Sequence, residues 1–197
     1  MDVVVLTVDQ DESRTGLDQV PTALDALRAV PCLRPFERTV GDELQGLLDD
    51  PAALPAALEP LLRSGGWNIG IGLGPVETPL PDQARAGRGE AYLAAREAVT
   101  AAKSSPWRLR VNGASPATRA LESAIWLWAA LLARRTERGW QVSDLVDEGL
   151  TYDQAATRLG ITQSAVSQRA AAAGIAEGRR ARELVEFLTG TALEGPR

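Results

Sequence analysis

The chain has 197 residues, 45% of them apolar and 24% charged, with a formal net charge of −5, an ordinary globular composition. It contains no His and a single Cys, Cys32. That excludes Ser-His-Asp triads, imidazole acid–base pairs, His-ligated zinc and any intrachain disulfide, and it points to a reducing, cytoplasmic address.

The first element is the β-branched run Val3 to Val8, a buried strand that ends at Asp9 in a polar loop. It has neither the basic flank nor the small-residue cleavage site of a signal peptide, and no apolar run approaches the roughly 18 residues of a membrane helix. The stripe Leu17, Val20, Leu24 and Leu27 predicts a helix over 17–30 with Pro21 in its first turn. Two short strand-like segments, 33–40 and 43–48, flank Gly41-Asp42, a tight-turn dipeptide that marks a hairpin.

An Ala- and Leu-rich helix over 51–64 ends at Gly65-Gly66. Trp67, Ile69, Ile71 and Leu73 then alternate with Asn68, Gly70 and Gly72, the period of a strand whose second face admits a close neighbour. A loop leads into a helix over 90–103. The order βαββαβα suits an α/β sandwich of ferredoxin-like type.

Charge divides the chain near the same point. Residues 1–106 hold 9 basic and 16 acidic side chains, whereas 11 Arg face 7 acids between 107 and 182. With the punctuation at Ser104-Ser105-Pro106 and 112–116, this predicts two domains, 1–106 and 107–197, with different partners. In the second, one long helix is expected over 116–138. Trp126 and Trp128, about 200° apart around its axis, cannot face one core, so one of them is expected to meet a partner subunit in a homodimer.

The most specific local pattern is Leu150 to Gly174. Thr151 caps a helix over 152–159, Gly160 turns the chain, Ile161 plugs the core and Thr162 caps a second helix over 163–173. Ala156 is small where the helices cross, and Val166 anchors the second on the first. Thr162, Gln163, Ser164, Ser167, Gln168 and Arg169 are then the candidate DNA-binding residues, short polar side chains suited to base edges and phosphates. Arg179, Arg180 and Arg182 follow on a further helix, where they either touch phosphates or keep it soluble. The stretch from Tyr152 to Arg169 resembles the helix-turn-helix of sigma-factor region 4 and of MarR-like regulators.

The first half carries Asp9 at a strand end, Gly41-Asp42-Glu43 in a hairpin, Asn68 to Gly72 in a later strand, and Arg96 on the following helix. In this order the pattern is similar to the class III nucleotide cyclases and diguanylate cyclases, and more closely to the SatD family, which shares the Gly-Asp-Glu-x-Gln hairpin, here Gly41 to Gln45. The resemblance covers about residues 3–103. It implies a metal site at Asp9 and Asp42 for Mg²⁺ or Mn²⁺ and a nucleotide contact at Glu43 and Arg96. Tyr92 stands where the cyclases place an Asn, and Val40-Gly41 lacks the doubled Gly of the diguanylate cyclases.

The reading is therefore an α+β chain: a ferredoxin-like, nucleotide-cyclase-like sandwich followed by an all-α helix-turn-helix domain. Its expected role is a transcriptional regulator of double-stranded DNA, a homodimer, with a degenerate cyclase-like domain that lacks turnover, requires no cofactor, and senses a nucleotide effector, with Mg²⁺ or Mn²⁺, or mediates assembly. The alternative is a metal-dependent nucleotidyl cyclase or nucleotide-processing enzyme with a DNA-binding tail.

Overall fold

The computed structural model describes residues 1–11 and 16–194. The chain divides into two compact units, Met1–Trp126 with Leu184–Arg197, and Leu127–Glu183. No helix among the described residues is long and apolar enough to cross a membrane.

The first unit is mixed α+β, built on a five-stranded sheet: β1 (Asp2–Gln10), β2 (Arg34–Arg38), β3 (Glu43–Leu48), β4 (Trp67–Pro75) and β5 (Leu109–Gly113) in the spatial order β2-β3-β1-β4-β5. β1 lies antiparallel to both neighbours, with Asp9 opposite Glu43 on β3 and Asn68 on β4. β4 and β5 are parallel, so a crossover must join them, and α3 (Glu90–Ala102) provides it. α1 (Val20–Leu27) packs against α2 (Ala53–Ser64), β2 and β3.

The glycines of β4 set how closely α3 approaches. A Cβ on Gly72 would lie 2.1 Å from the Ala91 carbonyl oxygen and 2.3 Å from the Ala95 nitrogen, and one on Gly70 would lie 2.2 Å from the Val99 nitrogen. α3 thus rests directly on strand backbone. Val3, Val5, Leu47, Ala91, Tyr92 and Ala95 form the core beneath it, while Val4, Leu6, Ile69 and Ile71, which point to the other face, are fully buried as well.

Three features depart from the sequence expectation. Leu17 lies outside α1 and is 87% exposed. The Gln10 amide fixes the chain there instead, donating to the Leu17 carbonyl (2.7 Å) and accepting from the Gln19 N–H (2.8 Å). Secondly, β5 lies beyond the boundary expected at 106/107 and completes the sheet of the first unit. Thirdly, the long helix expected over 116–138 is two helices, α4 (Ala117–Leu132) and α5 (Glu137–Asp147), because Thr136 takes an extended conformation and caps α5 by accepting from the Gly139 N–H.

α6 (Tyr152–Leu159), α7 (Gln163–Ala172) and α8 (Ile175–Leu193) complete the chain. The core shared by α5, α6 and α7 holds Val142, Leu145, Ala155, Ala156, Val166 and Ala170, with Leu159 and Ile161 packed against it.

Candidate functional site

Two sets of residues merit description, one in each unit. In the second unit, local caps fix α6 and α7 relative to each other. Thr151 and Gln154 form a reciprocal capping box at the start of α6. Gly160 ends that helix in the left-handed conformation (φ 65°), which an L-residue adopts only at a cost. Thr162 then caps α7 by accepting from the Ala165 N–H at 3.2 Å. Val166 and Ala170 are buried, and this turns Thr162, Gln163, Ser164, Ser167 and Gln168 outward. Arg169 is half-buried at the edge of the same face.

The row is acid-free: from Gln163 to Ala176 the sequence has no Asp or Glu. An outward row of hydroxyls and carboxamides on a rigidly seated helix can donate to and accept from a flat polar partner without meeting charge repulsion from its own helix. Two of the following Arg residues are engaged within the protein. Arg179 reaches the Val146 carbonyl (3.4 Å) and Asp147 (3.8 Å), and Arg180 pairs with Glu183 at 2.8 Å.

One further Arg, which the sequence pattern does not single out, organises this unit. Arg135 donates from Nε to the Ala173 carbonyl (2.9 Å), from Nη1 to Ser143 Oγ (3.2 Å) and from Nη2 to the Gly174 carbonyl (3.4 Å). Its guanidinium carbon lies 4.7 Å from the centre of the Trp140 ring. It joins the α4–α5 turn to the C-terminal end of α7, where it satisfies the Ala173 carbonyl and shares the Gly174 carbonyl with the Gly178 N–H (2.8 Å).

In the first unit, β1 and the β2–β3 hairpin bring Asp9, Asp42 and Glu43 to one end of the sheet. The Gln10 N–H donates to the Asp42 carbonyl at 3.2 Å, and Gly41 turns the hairpin at φ 64°. Asp9 is not open, however. Its Oδ2 receives Lys103 Nζ at 2.9 Å and the amide of the buried Asn68 at 3.4 Å. Asn68 Oδ1 in turn accepts from Arg108 Nη1 (3.2 Å), which also pairs with Asp11 (3.0 Å). Arg108 holds a positive φ of 47° to do so.

The hydrogen bond to Asp9 raises the Lys103 pKa, with Asp42 and Glu43 adding to it. Two carboxylates and two cations of the chain therefore neutralise each other around Asn68. This donor set does not fit a two-metal site, since an ammonium already occupies the Asp9 oxygen that a cation would need. Among the described residues no group of three or more His, Cys, Asp or Glu side chains could hold a metal ion.

Glu43 and Arg96 do come together. They line a cavity of about 450 Å³ with Thr7, Thr39, Gln45 and Arg85. Its floor is already hydrogen-bonded, Gln45 Nε2 to Thr7 Oγ1 at 2.8 Å and Thr39 Oγ1 to Glu43 Oε1 at 2.7 Å. Arg96 is exposed on α3 and has no ion-pair partner among the described residues. Tyr92, one turn earlier, is a core residue. It is 7% exposed, burial raises its pKa, and its hydroxyl lies where a Cβ on Gly87 would stand.

Lys103 and Arg108 were not legible as site residues, because their partners lie far away in sequence. The two indoles of α4 do face apart. Trp128 is 1% exposed in the core, and Trp126 donates from Nε1 to the Leu109 carbonyl of β5 at 3.0 Å.

No family model and no curated protein matches the chain. Among solved structures, it is similar to the regulator of polyketide synthase expression from Bifidobacterium adolescentis. The identity is 17% over 98% of this chain and 80% of that one, and the TM-score is 0.30.

Proposed function

We propose that this chain is a DNA-binding transcriptional regulator in which α6 and α7 form a helix-turn-helix and α7 enters the major groove. The observation that carries the reading is the outward, acid-free row Thr162, Gln163, Ser164, Ser167 and Gln168 on a helix whose opposite side is anchored by Val166 and Ala170. Carboxamides such as those of Gln163 and Gln168 have the paired donor and acceptor that an adenine edge presents in reverse, and Ser and Thr hydroxyls suit either bases or phosphates. Arg169, at the edge of the row, is placed to meet a phosphate.

In the same reading the first unit is a ferredoxin-like module for sensing or assembly. Its antiparallel order β2-β3-β1-β4 supports that assignment. Its cyclase-like carboxylate site is degenerate, and the Lys103–Asp9 pair supports this. A single recognition helix reads few base pairs, so the working species is a homodimer on a two-fold site.

The test is selection of bound fragments from random duplex DNA, followed by anisotropy titration of Gln168→Ala and Arg169→Ala. Gln168→Ala should cost about 1–3 kcal/mol on the selected sequence and little on random DNA, whereas Arg169→Ala should weaken both alike and flatten the salt dependence. Unchanged affinity in both variants would sink the assignment.

A further inference from the structure

The exposed side chains of α7 are not equivalent around its axis. At about 100° per residue, the buried Val166, Ala170 and Ala173 point in one common direction. Gln168 lies within about 15° of the opposite direction and Ser164 within about 30°. Ala171 and Ala172 stand about 50° to either side and bring methyl groups alone. Gln163 and Ser167 are exposed further round the helix. The group that leads the outward face is therefore the Gln168 carboxamide.

That carboxamide is uncommitted. Among the described residues no hydrogen bond engages the side chain of Gln163 or Gln168, whereas Gln154 closes the capping box of α6, and Gln10 and Gln45 are bonded within the first unit. Basic groups are missing from the outward line. The one basic side chain of α7, Arg169, is half-buried and lies more than about 100° away from it.

The purine edges of the major groove distinguish these chemistries. Guanine presents two acceptors, N7 and O6, which the paired donors of Arg or Lys satisfy; adenine presents an acceptor, N7, beside a donor, N6, which one carboxamide satisfies. Turned toward guanine, a carboxamide can donate to one acceptor only by setting its own carbonyl oxygen against the other, a mismatch that counts against that base.

We propose that the site this helix selects is specified by adenine and not by guanine, with Gln168 as the specificity-determining residue: Nε2 donates to N7 and Oε1 accepts from N6. The inference rests on the reading of α6 and α7 as a helix-turn-helix.

Duplexes recovered by selection from random DNA are resynthesised with 7-deazaadenine at each adenine in turn and with 7-deazaguanine at each guanine, and the full chain is titrated with them by anisotropy. At one position 7-deazaadenine should weaken binding by about tenfold. Gln168→Ala should weaken binding to the unmodified duplex by a similar factor, and the two losses should not add, because they remove the two ends of one contact. 7-Deazaguanine should change the affinity by less than about twofold at every position. Gln168 is exposed, and the base substitutions need no protein variant. Insensitivity to 7-deazaadenine, additive losses, or a comparable loss from 7-deazaguanine would overturn the assignment and leave DNA binding intact. Recovery of no preferred duplex would overturn the helix-turn-helix reading, and this inference with it.

Discussion

Replacing Gly72 by Ala places a methyl 2.1 Å from the Ala91 carbonyl oxygen and 2.3 Å from the Ala95 nitrogen. A comfortable non-bonded separation is roughly 3.5 Å, so α3 must withdraw by about 1.4 Å. Both obstacles are backbone, and no rotamer change relieves them. The cost therefore falls at or above the top of the usual overpacking range, about 3 kcal/mol, because withdrawal also loosens Val3, Val5 and Ala95 from their contacts. Against a total stability of about 5–15 kcal/mol, that is a large fraction.

Urea unfolding followed by circular dichroism should show a midpoint lowered by on the order of 1 M or more. The comparison is Gly160→Ala. There φ is positive, unlike at Gly72, but no atom lies within 4 Å of the added Cβ, so only backbone strain of about 1–2 kcal/mol is expected. A Gly72→Ala protein within about 1 kcal/mol of the wild type would refute the contact argument, since typical single substitutions cost as much.

The Lys103 pKa is raised, so its contribution to stability is complete below the unfolded-state value of about 10.4 and is lost as pH rises through the folded value. The ammonium is largely exposed, which limits Lys103→Met to about 0.5–1 kcal/mol at neutral pH. Urea midpoints of the two proteins should converge in strongly alkaline buffer, and a gap that widens there would contradict the assignment. Arg135→Lys should destabilise the second unit by about 2 kcal/mol, because an ammonium cannot serve three acceptors in a planar fork. Hydrogen exchange should then rise at α5 and α7 while β1 and β4 are unaffected.

What the sequence makes legible is what local chemistry decides. Thr151, Gly160 and Thr162 act on residues within a few positions of themselves, and the structure has α6 and α7 within one residue of the expected bounds. The alternation of Trp67 to Leu73 marks β4 for the same reason. β5 is hidden because it has only Leu109 and Val111 as inward apolar residues and ends among Asn, Gly and Ser; it becomes a strand by pairing with β4. The break between α4 and α5 has no Gly or Pro to announce it, and the available signal, Thr136 followed by Glu137, lies within an apparently continuous helical pattern. At the carboxylate end, Asp9 is visible but its occupant is not: Lys103 is 94 positions away and reaches it only through the crossover of α3.

The hydrogen bonds that α4 makes to β5 bear on how copies of this protein can and cannot associate. An outermost strand ordinarily offers unpaired N–H and C=O groups to any passing chain, a route to aggregation. Here Glu122 accepts the Val111 N–H and Trp126 donates to the Leu109 carbonyl, so side chains of a helix take the bonds a sixth strand would make. The other margin is blunted by different means: β2 carries Pro35 next to Arg34, and its register slips between Arg34 and Glu37. With both margins blunted, extension of the sheet from one copy into the next is disfavoured, and the sheet stops at five strands.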